Sequence, residues 1–304
     1  MDKIQAFAEH LAQNSIGYTR DVPLGEKSTF RIGGPAALFI EPGSQDEVAL
    51  ALAFASREGI PLLVLGAGSN MLFADEGYHG TILHLGESFS QIRREGEILI
   101  SCQSGAKLSN LCRFAQQQGL AGLEFAYGIP GTVGGALYMN AGAYGGQIED
   151  VAHTAGFMDF GGNLIEFTAP QMGFSYRRSA FMEMDGVLTG ATFKLTPAPP
   201  EEIRIKMDDY MARRREKQPL EYPSAGSTFK RPPDNYASAL IDQCGLKGLR
   251  VGGAAVSEKH AGFIVNLGGA TCKDVIQLIE QVQRRVKEDT GYKLEREVLL
   301  ASEL

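Results

Sequence analysis

Residues 128 to 146 read GIPGTVGGALYMNAGAYGG, and seven of these nineteen are glycine. Glycine fills about 7% of an ordinary globular chain, so this density calls for a physical reason. A residue without Cβ lets main-chain N–H groups press against a flat or phosphorylated ligand. Thr132, Asn140 and Tyr144 in the same run favour a large cofactor over the alternative, a loop-rich segment of tight turns. A second cluster, Gly66-Ala67-Gly68-Ser69-Asn70, directly follows Leu62-Leu63-Val64-Leu65. It presents backbone amides and two polar side chains to an anion, with a plain tight turn as the alternative.

Three other segments are too polar and glycine-rich for pure scaffold: Tyr176-Arg177-Arg178-Ser179, the run from Ala225 to Pro232, and the run from Val251 to Phe263, which carries His260. Ser227 stands between Gly226 and Thr228, with Lys230 and Arg231 close behind, and suits a hydroxyl aimed into an anionic site. Glu297 abuts Val298-Leu299-Leu300. Such neighbours would partly desolvate its carboxylate, which then needs a cation or donor; a solvated strand edge is the other reading.

Several chemistries are excluded. After Gly66 and Gly68 the third glycine of G-x-G-x-x-G is missing, and residues 72–77 do not read as a helix, so a Rossmann domain is rejected. No G-x-S-x-G elbow surrounds Ser227, and neither H-E-x-x-H nor a P-loop occurs. The five histidines, at 10, 79, 84, 153 and 260, are scattered. Cys102, Cys112, Cys244 and Cys272 form no C-x-x-C pair, so no metal site is expected, and reduced thiols suit the cytoplasm.

The 304-residue length suggests two or three domains. A net charge of −7 argues against nucleic acid as the main partner. No signal peptide is visible, and no apolar run reaches the ~18 residues of a membrane span.

The elements that must position these residues follow from pattern. Ala37–Glu41 reads as a strand, Ser44-x-x-Glu47 as a capping box opening a helix that Gly59 ends, and Leu62–Leu65 as a buried strand: a β-α-β unit. Residues 80–196 are mainly short strands, interrupted by a helix over Lys107–Gln118 with Gly119 as its stop. Pro197, Pro199 and Pro200 mark a boundary. Glu201–Lys217 is a helix whose apolar stripe of Ile203, Met207, Tyr210 and Met211 also carries Arg214. That arginine needs an anionic partner, unless its stem packs while its head reaches water. A last helix starts at Thr271 with Asp274 in capping position and ends at Gly291, before a closing strand at Val298–Leu300.

In order and spacing, these motifs resemble the family of UDP-N-acetylenolpyruvoylglucosamine reductases, from Thr29-Phe30-Arg31-Ile32-Gly33-Gly34 to Leu294-Glu295-Arg296-Glu297-Val298. The resemblance implies an α+β chain: a two-subdomain FAD-binding region of the vanillyl-alcohol-oxidase (PCMH-like) type over 1–198, split near 80–85, and a C-terminal α/β substrate domain over 199–304. It implies non-covalent FAD along Gly66, Ala67, Gly68, Ser69, Asn70, Met71, Gly128, Ile129, Pro130, Gly131 and Thr132, with Ala141, Gly142 and Tyr144 nearby. NADPH is the implied co-substrate, and a cytoplasmic reaction of peptidoglycan synthesis is implied. Ser227 matches the family's proton donor, and Arg177 and Glu297 its enolate stabilisers. Tyr176, Arg214, Lys217, Arg231 and His260 are the implied substrate contacts. The chain has no room for the tyrosine-bearing loop of longer relatives, so it is similar to the shorter, type II class. Arg178 and Leu299 depart from the family pattern, where many relatives have an acidic and a basic residue. A flavin oxidase on the same scaffold and a non-catalytic nucleotide-sugar binding protein are the alternatives. Protein partners are not indicated.

Overall fold

A computed structural model describes residues 3–304. The N-terminal helix α1 (Lys3–Gln13) precedes strands β1 (Tyr18–Pro23) and β2 (Pro35–Ile40). Helix α2 (Gln45–Glu58) begins where the sequence places it. Ser44 accepts the Glu47 N–H at 3.2 Å, but the Glu47 carboxylate takes the N–H of Gly43 at 2.7 Å rather than that of Ser44, so the expected capping box closes one residue early. Gly59 ends the helix in the left-handed region, at φ +60°. Strand β3 (Leu62–Leu65) follows. It is buried on one face only: Leu63 and Leu65 are covered and Val64 is exposed. Strand β3 pairs in parallel with β5 (Tyr78–His84), which separates it from β2 in the sheet order β1-β2-β5-β3. The chain after β3 does not enter a helix. It loops through 66–70 into the two-residue strand β4 (Met71–Leu72), as rejection of a Rossmann domain requires.

The next stretch builds a five-stranded antiparallel sheet from β6 (Ile92–Glu95), β7 (Leu99–Gln103), β11 (Ala152–Asp159), β12 (Leu164–Thr168) and β13 (Gly186–Lys194), in the order β12-β11-β13-β7-β6. Helix α3 (Leu108–Gln117) buries Leu108, Leu111, Cys112 and Ala115 against it. Short strands β8 (Leu120–Ala121) and β14 (Thr196–Pro197) pair. The glycine run, in a region expected to be short strands with a single helix at 107–118, contains helix α4 (Val133–Tyr138) and the hairpin β9 (Gly142–Ala143)–β10 (Gly146–Gln147). Thr132 caps α4 by accepting the Gly135 N–H. A glycine-rich helix is intrinsically weak, so tertiary packing of Val133, Ala136 and Leu137 holds it. Helix α5 (Pro200–Lys217) starts at the last of the boundary prolines, a position where a missing N–H costs nothing.

The remaining residues form an antiparallel sheet of β15 (Ser224–Ser227), β16 (Arg250–Val251), β17 (Ala254–Val256) and β18 (Phe263–Asn266), in the order β15-β18-β17-β16. Helices α6 (Ala237–Gln243) and α7 (Cys272–Thr290) cover it. Val275, Ile279, Val282 and Val286 of α7 share one core with Leu240, Val256 and Ile264. The Thr271/Asp274 capping box is present, and the Asp75 carboxylate adds two further bonds there, from the N–H groups of Cys272 (2.7 Å) and Lys273 (3.2 Å). The chain closes with β19 (Leu299–Leu300), parallel to β4.

The chain divides into two units that interleave in sequence. The first holds residues 1–20, 38–67 and 80–214; the second holds 21–37, 68–79 and 215–304. Among the described residues no helix is long and apolar enough to cross a membrane.

One half-buried group carries a pH signature. His10 stacks on Phe54 with ring centroids 4.2 Å apart, and its Nε2 is buried without a partner. Burial, then the Arg57 charge, pushes its pKa below the ordinary 6.5. A depressed folded-state pKa stabilises the fold above the unfolded value and is lost as pH falls through the folded one. We expect urea midpoints to drop between about pH 7 and about pH 5, with a smaller drop in His10→Gln. An equal drop in both proteins would exclude His10 as a source.

Candidate functional site

In the first unit the two glycine clusters touch. A Cβ added to Gly66 would lie 2.4 Å from Thr132 Oγ1, so only glycine lets the strand end meet the cap of α4. Asn140, in the middle of the glycine run, is fully buried. Its amide donates to the Ser175 carbonyl (3.0 Å), and its oxygen accepts the Glu149 N–H (3.0 Å). The Ser179 hydroxyl donates to the Tyr138 carbonyl at 2.8 Å. These bonds fasten the turn bearing Tyr176 and Arg177 to the glycine run. Ser175 and Arg178 close that turn by exchanging backbone hydrogen bonds, which leaves Arg177 at its tip with φ +56°. A non-glycine residue there costs on the order of 1 kcal/mol, offset by the surrounding ties. The Arg177 guanidinium donates to the Gly142 carbonyl (3.2 Å) and lies 5.0 Å from the Tyr176 ring centroid. The departing residue, Arg178, pairs with Glu183 on the surface.

Arg214 is the unusual charge of this unit. It is only 9% exposed and packs with Ile203 and Met207 on the buried side of α5. A Cβ on Gly128 would sit 3.0 Å from its Cδ. Burial pushes its pKa down and Tyr144 opposes the shift; arginine nonetheless stays charged. No carboxylate pairs with it among the described residues. A buried cation without an acid is suited to an anionic ligand, and this one lies against the expected cofactor stretch. Tyr144, itself at φ +55°, stacks on Tyr210 with centroids 4.6 Å apart. Gly128–Thr132, Ala141, Gly142, Tyr144, Tyr176, Arg177 and Arg214 are all residues of this unit.

The second unit gathers Gly68, Ser69, Asn70, Met71, Ser227 and Glu297. Three chain segments run side by side. The Glu297 N–H donates to the Thr228 carbonyl and the Lys230 N–H to the Glu295 carbonyl, each at 2.8 Å. Phe229 and Arg296 are paired between them. On the other edge, the Leu299 N–H donates to the Asn70 carbonyl (3.0 Å) and the Asn70 amide to the Glu297 carbonyl (3.2 Å). Ser227 thus adjoins the strand of Glu297, which in turn adjoins Asn70. Ser227 is exposed, and Gly226 before it is at φ +75° with open space where a Cβ would stand. The next residue is held firmly: the Thr228 N–H donates to the Gly262 carbonyl (2.8 Å) and its hydroxyl accepts the Ile264 N–H (3.0 Å).

The Gly66–Asn70 motif is shared, because Gly66 and Ala67 belong to the first unit and Gly68 onwards to the second. Gly68, at φ +59°, would place a Cβ 2.4 Å from the Lys27 carbonyl oxygen. His260 meets Phe263 edge-on with centroids 5.0 Å apart, and its Nδ1 accepts the Gly262 N–H. Burial lowers its pKa, so the ring is neutral at pH 7. Lys230 faces Glu295 at 3.8 Å, and Arg231 lies over the Tyr236 ring at 4.0 Å. Lys217 is exposed at the end of α5.

Sequence reasoning singled out Asn140 beside the glycines but passed over two residues, Asp75 and Tyr210, as parts of the site. These two act through distant partners, and local pattern gives no sign of them. Among the described residues no cluster of His, Cys, Asp and Glu could hold a metal ion. The cysteines are free, and burial pushes Cys102 up to about 12, which leaves it a poor nucleophile.

Comparison with known proteins identifies the family. Residues 36–168 match the FAD binding domain family, and 218–301 match the family described as UDP-N-acetylenolpyruvoylglucosamine reductase, C-terminal domain. A UDP-N-acetylenolpyruvoylglucosamine reductase of Caldicellulosiruptor bescii is 47% identical over 98% of this chain and 95% of its own length. That of Clostridium botulinum is 43% identical over 99% and 97%. The crystal structure of UDP-N-acetylenolpyruvylglucosamine reductase (MurB) from Thermus caldophilus superposes with a TM-score of 0.80 at 36% identity, covering 94% of this chain and 98% of that one.

The close packing of Gly68 makes a prediction. Gly68→Ala should lose at least about 1 kcal/mol of stability and purify with less flavin. Gly291→Ala, at φ +79° with open space around it, carries the backbone cost without the collision and should keep its flavin. Equal flavin content in the two variants, read from visible absorbance, would refute the steric account.

Proposed function

This chain belongs to the UDP-N-acetylenolpyruvoylglucosamine reductase family, with an FAD binding domain and that family's C-terminal domain, and from that premise we propose that it reduces the enolpyruvyl ether of UDP-N-acetylglucosamine to UDP-N-acetylmuramate at the expense of NADPH. The observation that carries the reading within this structure is the side-by-side run of the Ser227, Glu297 and Asn70 segments. It joins a hydroxyl and a carboxylate to a loop of the expected cofactor motif. In this reading residues 1–198 serve the cofactor and 199–304 the substrate. The setting is cytoplasmic peptidoglycan synthesis, with small-molecule partners and no nucleic acid.

The residues present fit FAD. Glycines at 66, 68, 128 and 131 bring backbone amides to a dinucleotide without a Rossmann helix. Arg214 supplies a buried positive charge for the pyrophosphate of the UDP-sugar. Bound FAD would supply hydride chemistry, accepting from NADPH and donating to the alkene.

This chain's own groups then have defined tasks. Hydride addition to the terminal CH₂ leaves charge on the adjacent carbon, delocalised into the carboxylate. Prearranged donors and cations lower such a barrier by several kcal/mol. Arg177 pairs with the substrate carboxylate, its backbone held at the tip of a doubly tied turn. Glu297, when it carries a proton, donates a hydrogen bond to the enol oxygen; an ionised carboxylate would repel it. Ser227 gives its proton to the carbon. A serine is a weak acid, so its alkoxide needs stabilising neighbours. Lys230 and Arg231 are the cations nearest in sequence. Arg214, Lys217 and Arg231 bind the UDP phosphates, Tyr176 contacts the sugar side, and neutral His260 shapes the turn behind Thr228.

Ser227→Ala provides the test. Its flavin should still be reduced by NADPH at the native rate, while reduction of the enolpyruvyl sugar falls by about 10²-fold or more, the usual worth of a general acid. Native rates in both half-reactions would remove Ser227 from the mechanism. Oxidation of an alcohol with oxygen, or a colourless protein that binds only the nucleotide sugar, would favour the two alternatives instead.

A further inference from the structure

Thr29 belongs to none of the groups assigned so far, yet it is bonded to both halves of the second unit's site. Its N–H donates to the carbonyl of Gly68, in the cofactor loop, at 3.3 Å. Its hydroxyl donates to the carbonyl of Ser224 at 2.7 Å, and its own carbonyl accepts the Ser224 N–H at 3.1 Å. Ser224 opens β15, the strand that ends in Ser227. One residue therefore holds the Gly68 backbone on one side and the root of the proton donor's strand on the other.

The strand needs that hold. Strand β15 meets β18 in register at Ser224 and at Ser227, but the pairing shifts between them. Gly226 lies inside the irregular stretch, at φ +75° and with nothing packed where a Cβ would be. A bulged, glycine-bearing segment is the softest part of a strand. Its two ends decide where Ser227 points. The far end is fixed at Thr228 by Gly262, Ile264 and Glu297. The near end is fixed at Ser224 by Thr29, with Asn266 alongside donating from its amide to the Phe30 carbonyl at 3.2 Å. The Thr29 side chain contributes one short bond, and that bond aims straight at the strand.

We propose that Thr29 is a positioning residue for proton delivery: its hydroxyl, by holding Ser224, sets the distance between the cofactor loop and Ser227. The inference rests on the reading of Ser227 as proton donor. Without the hydroxyl, the β15 root keeps the Ser224 N–H bond to Thr29, the Asn266 N–H bond to the Pro223 carbonyl and the pairing of Ser224 with Val265, but the Ser224 carbonyl loses its tie to Thr29, and Ser227 samples positions off the line to the substrate carbon. A displacement of about 1 Å is enough to slow a positioned reaction by on the order of 10²-fold. Reduction of the flavin does not use Ser227 and is untouched.

The test compares Thr29→Val, which keeps shape and removes the donor, with Thr29→Ser, which keeps the donor and removes a methyl group. Both are purified as holoprotein, and each half-reaction is followed by stopped flow. Thr29→Val should take up hydride from NADPH at the native rate but reduce the enolpyruvyl sugar tenfold to a hundredfold more slowly, with a larger solvent deuterium isotope effect on that step. Thr29→Ser should restore most of the rate. The inference is overturned if Thr29→Val reduces sugar at the native rate, if both half-reactions slow together, if flavin is lost, or if Thr29→Ser is as slow as Thr29→Val. The underlying reading fails separately, through Ser227→Ala. A slow Ser227→Ala beside a fast Thr29→Val would discard the role of Thr29 alone.

Discussion

The backbone bond from Glu297 N–H to the Thr228 carbonyl, at 2.8 Å, is the contact around which the proposed chemistry of the second unit is arranged. It sets a residue near the chain's end beside one some seventy positions earlier, and Asn70 joins the same ladder from the other edge. Each such bond contributes only about 1 kcal/mol net. Their combined effect is geometric, since a strand registered on both edges cannot slide without turning its side chains over. Leu72, Phe229 and Val298, buried in a common core, lock the register from beneath. The Asp75 carboxylate on the first turn of α7 anchors the segment that carries Asn70.

The first unit solves a different problem with the same means. Its glycine run has little intrinsic structure, so side chains hold it from outside. Asn140 and Ser179 tie it to the Tyr176–Arg177 turn, and Thr132 ties it to Gly66. Among the described residues Arg214 has no acidic partner, a costly arrangement for a buried cation unless an anion repays it. Strain at Arg177 and Tyr144, both at positive φ, falls among residues with proposed roles, where stored backbone strain is commonly found.

The sequence spoke clearly where the signal was local. Ser44, Gly59, Thr271 and Gly291 mark helix ends because capping chemistry involves neighbours three or four residues apart. Arg214 stood on the apolar stripe of its helix, and it is buried there. The missing third glycine after Gly68 correctly excluded a Rossmann turn. Local signals failed for α4, whose glycines argue against a helix that tertiary packing enforces. They failed for Val64, where a run of four apolar residues hid a one-sided strand. The interleaving of the units was also beyond reach, because residues 21–37 and 68–79 join the C-terminal segment through pairings across some two hundred positions. Thr29 and Asp75 belong to that class: the sequence names them, but only the fold shows their partners.

The central claim is that this chain holds a hydroxyl–carboxylate pair where reduced flavin meets an enolpyruvyl ether. Anaerobic mixing of the photoreduced holoprotein with UDP-N-acetylglucosamine enolpyruvate tests it without NADPH. The account predicts that flavin absorbance returns in step with sugar reduced, one lactyl ether formed for each flavin reoxidised. Flavin that stays reduced under saturating substrate would contradict it.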